Sequence, residues 1–174
     1  NETGTLIHFD AIAQRVLGHG VPWHCDGVQG VGKSPLNLAE GAHEAITTLS
    51  LSGHKMNGPR GVGALYVRRN SPFSALFPGH LQEHGRRAGT ENVAGISALG
   101  VAAQEANARL AAGEAIRLQA CRDALAAGML EAFPQSRIHG DPESRLANTL
   151  YISLRKGEGA WIDMNEPSVF SGPE

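Results

Sequence analysis

The chain has 174 residues, 41% hydrophobic and 18% charged, with 22 glycines and a formal net charge of -2. These values exclude a collagen-like, a disulfide-stapled or a strongly charged disordered chain, and make one compact domain of ordinary size the first expectation. No apolar run reaches the roughly 18 residues of a membrane helix, and the scattered Lys and Arg form no basic stripe for nucleic acid. Neither a membrane nor a nucleic-acid partner is therefore expected. Cys25 and Cys121 stand far apart without metal-ligand spacing, and the opening Asn1-Glu2-Thr3-Gly4 is not a secretory signal. A reducing compartment is expected, either a bacterial-type cytoplasm or an organellar matrix. A start of this kind reads as the middle of a longer gene.

Along the chain, Asp10 is placed to cap a helix through about Leu17, which Gly18 and Gly20 then stop. Residues 21–25 read as a strand. The β-branched run 47–51 and the run 62–68 read as two more, joined by the tight polar stretch 54–61. Short strands alternating with a helix predict βαβ units on a mostly parallel sheet. After Thr90 the composition turns Ala- and Leu-rich without proline, which predicts helices over 93–112 and 115–133 with a break at Gly113. Residues 138–142 then read as a turn and 150–154 as a strand.

Several motifs compete for the chemistry. Gly27-Val28-Gln29-Gly30-Val31-Gly32-Lys33-Ser34 fits the phosphate-loop pattern G-x-x-x-x-G-K-S after a strand, so a nucleotide-binding module using Lys33 is one reading. Pro35 opposes it by following Ser34 directly, where that motif needs a helix already under way. His80-Leu81-Gln82-Glu83-His84 matches the zinc-peptidase pattern H-x-x-E-H, but Pro78-Gly79 and Gly85 bracket it, and a loop is expected. The run from Trp161 to Phe170 resembles the signature of family-31 glycoside hydrolases, which implies Asp163 as an α-glucosidase nucleophile. A retaining glycosidase needs a second carboxyl group about 5 Å away and here a barrel of about 250 residues. The chain offers neither, so residues 160–174 read as a tail foreign to what precedes them.

The widest pattern is made by Asn1-Glu2-Thr3-Gly4, His24-Cys25-Asp26-Gly27-Val28-Gln29, Ser52-Gly53-His54-Lys55-Met56-Asn57-Gly58-Pro59-Arg60-Gly61 and Arg87-Ala88-Gly89-Thr90-Glu91-Asn92, in that order. Together they resemble the cysteine desulfurases of the iron–sulfur-cluster and nitrogen-fixation kind, which are class-V aminotransferase-like enzymes dependent on pyridoxal phosphate. The likeness runs from residue 1 to about Gly159. It implies a fold-type-I α/β fragment, with residues 1–105 in the large cofactor-binding domain and 106–159 starting a small C-terminal α+β domain.

By that resemblance Lys55 anchors the cofactor covalently and Asp26 keeps its pyridine nitrogen protonated. Gln29 bonds the phenolic oxygen, and Asn1 contacts the ring or substrate. Ser52 and His54 hold the phosphate, and Thr90 reaches the phosphate of a partner subunit, which implies a homodimer. The implied reaction converts L-cysteine to L-alanine and passes sulfur, as a persulfide, to an acceptor or scaffold protein. The family's catalytic cysteine follows the strand matching 150–154, and its substrate-binding arginine comes later; neither is present after Gly159. Its glycine- and threonine-containing phosphate turn and ring-stacking residue precede the positions matched by Asn1. The chain by itself is therefore expected to bind cofactor weakly and to be inactive. A non-catalytic domain or fusion product that retains remnants of these motifs is the remaining alternative.

Overall fold

The computed structural model describes residues 2–155 and the backbone of Trp161–Ile162. It divides into two units, His8–Ala112 and the pair of segments Asn1–Ile7 and Gly113–Glu174. Asn1 and Asp163 lie outside the described residues.

The unit His8–Ala112 opens with α1 (Phe9–His19). Asp10 is not its cap. His8 holds the N-cap position without a side-chain bond, and Asp10 lies within the first turn, where its charge complements the helix dipole. The helix runs through Gly18 and stops at Gly20, whose φ of 63° would strain a side chain and whose N–H bonds Leu17 O.

β1 (His24–Asp26) and β2 (Thr48–Ser52) run parallel, with Asp26 opposite Ser50, and β3 (Gly63–Val67) lies antiparallel along the other edge of β2. This described part of the sheet is mixed. β1 starts later than the expected residue 21 because Pro22 has no N–H for a ladder. Trp23 O instead accepts from both Thr47 N (2.8 Å) and Thr48 N (3.1 Å).

Alternation along the strands sends Cys25 and Leu49 to one face, where they form a core with the fully buried Ile46. Phe9, Trp23, Leu51 and Tyr66 pack around it, and each large side chain buried there contributes about 1.5–3 kcal/mol. The opposite face carries only polar residues from β1 and alternate positions of β2: His24, Asp26, Thr48, Ser50 and Ser52. After β3, Arg68 donates from Nε to Ile46 O and from Nη2 to Leu38 O, both at 2.9 Å, so the connection between β1 and β2 is tied to the end of β3. The unit closes with α2 (Val93–Ala111), whose N-cap Asn92 accepts the Gly95 N–H at 3.0 Å. Ala102 and Ala106, one helical turn apart, are its buried residues.

In the other unit, Gly113 (φ 81°) precedes α3 (Glu114–Ala132), as the expected break required. β4 (Arg137–Ile138), β5 (Ile152–Arg155) and β6 (Trp161–Ile162) form an antiparallel sheet in that order. β5 starts later than residue 150 because its pairing with β4 begins at Ile152, opposite Ile138. The N-terminal segment belongs to this unit. Leu6 N donates to Ser144 O and Leu146 N to Gly4 O, both at 2.8 Å, while Arg145 Nη2 reaches Thr3 O at 2.9 Å.

Candidate functional site

Because β1 and β2 are parallel, both end on the same edge of the sheet, where ligands of α/β folds collect. A glycine-containing turn follows each. In the first, Asp26 Oδ1 accepts the Val28 N–H at 3.0 Å, and Gly27 O accepts from Gly30 N (3.0 Å) and Val31 N (2.9 Å). Gly30 O then accepts from Lys33 N and Ser34 N, both at 3.0 Å. The second is a single 3-10 turn, Gly53–Met56, closed by Asn57 in the left-handed region at φ 65°. It carries His54 and Lys55, and Ser52 Oγ lies 2.8 Å from His54 Nδ1.

The two turns meet. Gly32 has φ 77°, and a Cβ there would stand 2.9 Å from Met56 Cγ and 3.1 Å from Ala106 Cβ. At Gly58 a Cβ would stand 3.1 Å from Ala102 Cβ. The two small residues of α2 thus seat one turn each. Lys33 Nζ donates to Gln29 Oε1 at 2.9 Å, whereas Lys55 makes no hydrogen bond or ion pair among the described residues.

The electrostatics agree with this crowding. Burial, and then the charge of Lys55, push the Lys33 ammonium below the ordinary lysine range. Burial, and then the charge of Asp26, push the Cys25 thiol up. Cys25 is accordingly a protonated core residue, unsuited to act as a thiolate nucleophile.

Of the residues expected to form a site, the fold brings Asp26, Gln29, Ser52, His54 and Lys55 to one edge of the sheet and its two turns. Thr90 lies elsewhere: it is exposed and lines a groove of about 750 Å³ with Leu65, Phe77 and Ile96, which none of the other five lines. The phosphate-loop reading fails on geometry. No helix follows Lys33, the turn's amides bond its own carbonyls, and Lys33 holds Gln29. The zinc pattern also lacks its helical face, since Glu83 and His84 have left-handed φ values of 51° and 55°. What the motif obscured is the Gln29–Lys33 pair itself, whose i,i+4 spacing was the available signal.

These side chains suit pyridoxal phosphate: one carboxylate for the ring nitrogen, a hydroxyl and an imidazole for the phosphate, and an amine with no competing partner among the described residues. Asp26 Oδ1 is already engaged by Val28 N, so Oδ2 is the oxygen left for the ring.

Comparisons with known proteins agree. The chain is 45% identical over 171 residues to cysteine desulfurase 2 of Trichormus variabilis, covering 97% of this chain and 42% of that protein. Cysteine desulfurase NifS of Azotobacter vinelandii is 45% identical over 162 residues, covering 93% of this chain and 39% of its own length. A NifS-like protein from Rickettsia africae superposes with a TM-score of 0.80 at 28% identity, over 90% of this chain and 42% of that one. The chain thus spans about two fifths of the length of these relatives. The family model for class-V aminotransferases matches residues 1–164, past Gly159 and across Asp163, which leaves the α-glucosidase expectation without support. That family depends on pyridoxal phosphate. A lysine turn and an aspartate at adjacent ends of parallel strands, together with a match over nearly the whole sequence, make this chain a member of the class-V aminotransferase family.

Proposed function

We propose that the chain is the central part of a cysteine desulfurase that converts L-cysteine to L-alanine and passes the sulfur to a thiol as a persulfide. The observation that carries this reading is the placement of Asp26 and the Lys55 turn at neighbouring ends of a parallel pair. Pyridoxal phosphate, when bound, supplies a ring that stores the electrons of a bond broken next to the substrate's amino group. Asp26 would keep a proton on the ring nitrogen through Oδ2, the oxygen that Val28 N does not engage, and so favour that storage. Ser52 and His54 bind the phosphate through Oγ and the imidazole. Lys55 Nζ would hold the cofactor and would carry protons to and from the substrate carbons. The carbon–sulfur bond breaks as sulfur passes to the acceptor thiol, giving alanine and a persulfide with no external oxidant. Cys25 is not that thiol, because burial and Asp26 keep it protonated.

In this reading residues 1–105 lie in the large cofactor-binding domain, residues 106–159 begin the small one, and the enzyme works in a reducing compartment to supply iron–sulfur cluster assembly. A homodimer in which Thr90 completes the partner's phosphate site is supported by the exposure of Thr90 beside the apolar side chains Leu65, Phe77 and Ile96. Pyridoxal phosphate added to the chain should produce a visible absorption band that Lys55→Ala lacks. Borohydride reduction followed by mass mapping should place the cofactor on Lys55. Wild-type protein without a band, or label on another lysine, overturns the reading.

A further inference from the structure

Lys33 is left without a role once the phosphate-loop reading fails, yet its surroundings are built. Its turn is closed by two pairs of backbone bonds, and Gly32 seats that turn between Met56 and Ala106. Residues 29 and 33 project from successive turns of backbone toward each other, and Nζ sits 2.9 Å from Gln29 Oε1. An ammonium group has three donors and no acceptor, whereas a carboxamide has an acceptor end and a donor end. Only the oxygen of Gln29 can satisfy Lys33. The bond therefore selects one of the two amide orientations and turns the NH2 away from Lys33.

We infer that Lys33 is a positioning residue, which locks the Gln29 carboxamide with its NH2 as the end offered to an acceptor oxygen of the bound cofactor. This rests on the reading of Asp26, Gln29 and Lys55 as a pyridoxal-phosphate site. A freely rotating carboxamide presents oxygen to oxygen in half of its orientations, which is repulsive against a phenolate. The locked one presents a donor. Lys33 also lies close enough to Lys55 for the two charges to be felt, since burial and Lys55 together push the Lys33 ammonium down. The clamp thus stands beside the anchoring amine, and Lys33 acts through Gln29 rather than by touching the reacting atoms.

The test is a double-mutant cycle on the whole chain, read by the cofactor's visible spectrum and its Kd. Lys33→Met should shift the absorption band and weaken cofactor binding about tenfold, the scale of one hydrogen bond to a charged group. Gln29→Ala should do the same. Because Lys33 acts through Gln29, the double variant should be no weaker than Gln29→Ala alone, and Lys33→Arg, which keeps a donor, should restore most of the wild-type spectrum. In cofactor-free protein the Gln29 side-chain amide NMR signals should broaden or move in Lys33→Met and not in Lys33→Arg. A Lys33→Met band identical to wild type, or losses that simply add in the double variant, overturns the inference while leaving the site reading intact. A wild-type chain with no band overturns the site reading and this inference with it.

Discussion

Two turns follow two neighbouring strands, each contains glycine and lysine, and they do different things. In the turn after β1 most polar groups are tied to one another: Asp26 Oδ1 with Val28 N, Gly27 O and Gly30 O with two amides each, Lys33 with Gln29 Oε1. In the turn after β2, Lys55 has no hydrogen-bond partner among the described residues, while Ser52 and His54 pair beside it. The same residue type is a structural tie in the first turn and, in the proposed function, the reagent in the second. Lys33 holds an amide oxygen, whereas the proposal gives Lys55 the covalent bond.

The largest test of this contrast undercuts the core beneath the first turn. Leu49 is 2% exposed and its side chain would touch a Cβ at Gly27, so Leu49→Ala should cost about 2–5 kcal/mol in urea unfolding and loosen the first turn more than the second. Next is Gly32→Ala, which combines a φ of 77° with a Cβ only 2.9 Å from Met56 Cγ. A cost of about 2 kcal/mol is expected, with cofactor binding weakened through the first turn's contact with Met56.

The sharper test separates the turns. Ala106→Val crowds the seat of Gly32 and Ala102→Val that of Gly58, each at a cost on the order of 1 kcal/mol. Amide chemical shifts should change around 29–33 in the first variant and around 53–58 in the second. Equal disturbance of both turns by either variant would show that α2 does not seat them individually.

The smallest effect is in pH. Burial and Asp26 raise the folded-state value of the Cys25 thiol above its unfolded one. Stability is unaffected by this group below the ordinary thiol range and is lost as pH rises from there toward the raised value, because the unfolded chain releases its proton first. Cys25→Ala should abolish that alkaline slope, and alkylation at mildly alkaline pH should label exposed Cys121 well before buried Cys25.

The helices were the most legible part of the sequence. Runs of Ala and Leu without proline specify α2 and α3 locally, and Gly113 marks the break between them. The strands were read in the right places but with shifted ends, since a strand's limits depend on its partner. Pro22 and the double acceptor Trp23 O moved β1, and the register with Ile138 moved β5. The Asp10 cap failed because Asp is equally at home inside a first turn.

At the candidate site, the closeness of Lys55, Ser52 and His54 was legible because they sit within a few residues of one another, and the position of Asp26 because it ends a strand. Lys33 was not: a string match to a nucleotide loop drew attention to its end of the turn, while its partner lay four positions back. The seats on α2 were invisible for a different reason. Nothing in a run of small residues says which two of them, Ala102 and Ala106, will lie under Gly58 and Gly32 far earlier in the chain.

The pairing of the N-terminal segment with residues 144–146 has a consequence for how the chain is made. The bond between Ser144 Oγ and Leu6 O closes a separation of 138 residues, and that between Arg145 and Thr3 one of 142. At about 5–20 residues per second a ribosome takes roughly 7–28 s to travel from one partner to the other. The segment His8–Ala112 is finished well within that interval, whereas Gly4, Thr5 and Leu6 must wait for their partners to be synthesised. Of the two units, the one that contains Gly4, Thr5 and Leu6 is thus the later to close, and slowing translation after Ala112 should delay its completion without delaying the sheet that carries Lys55.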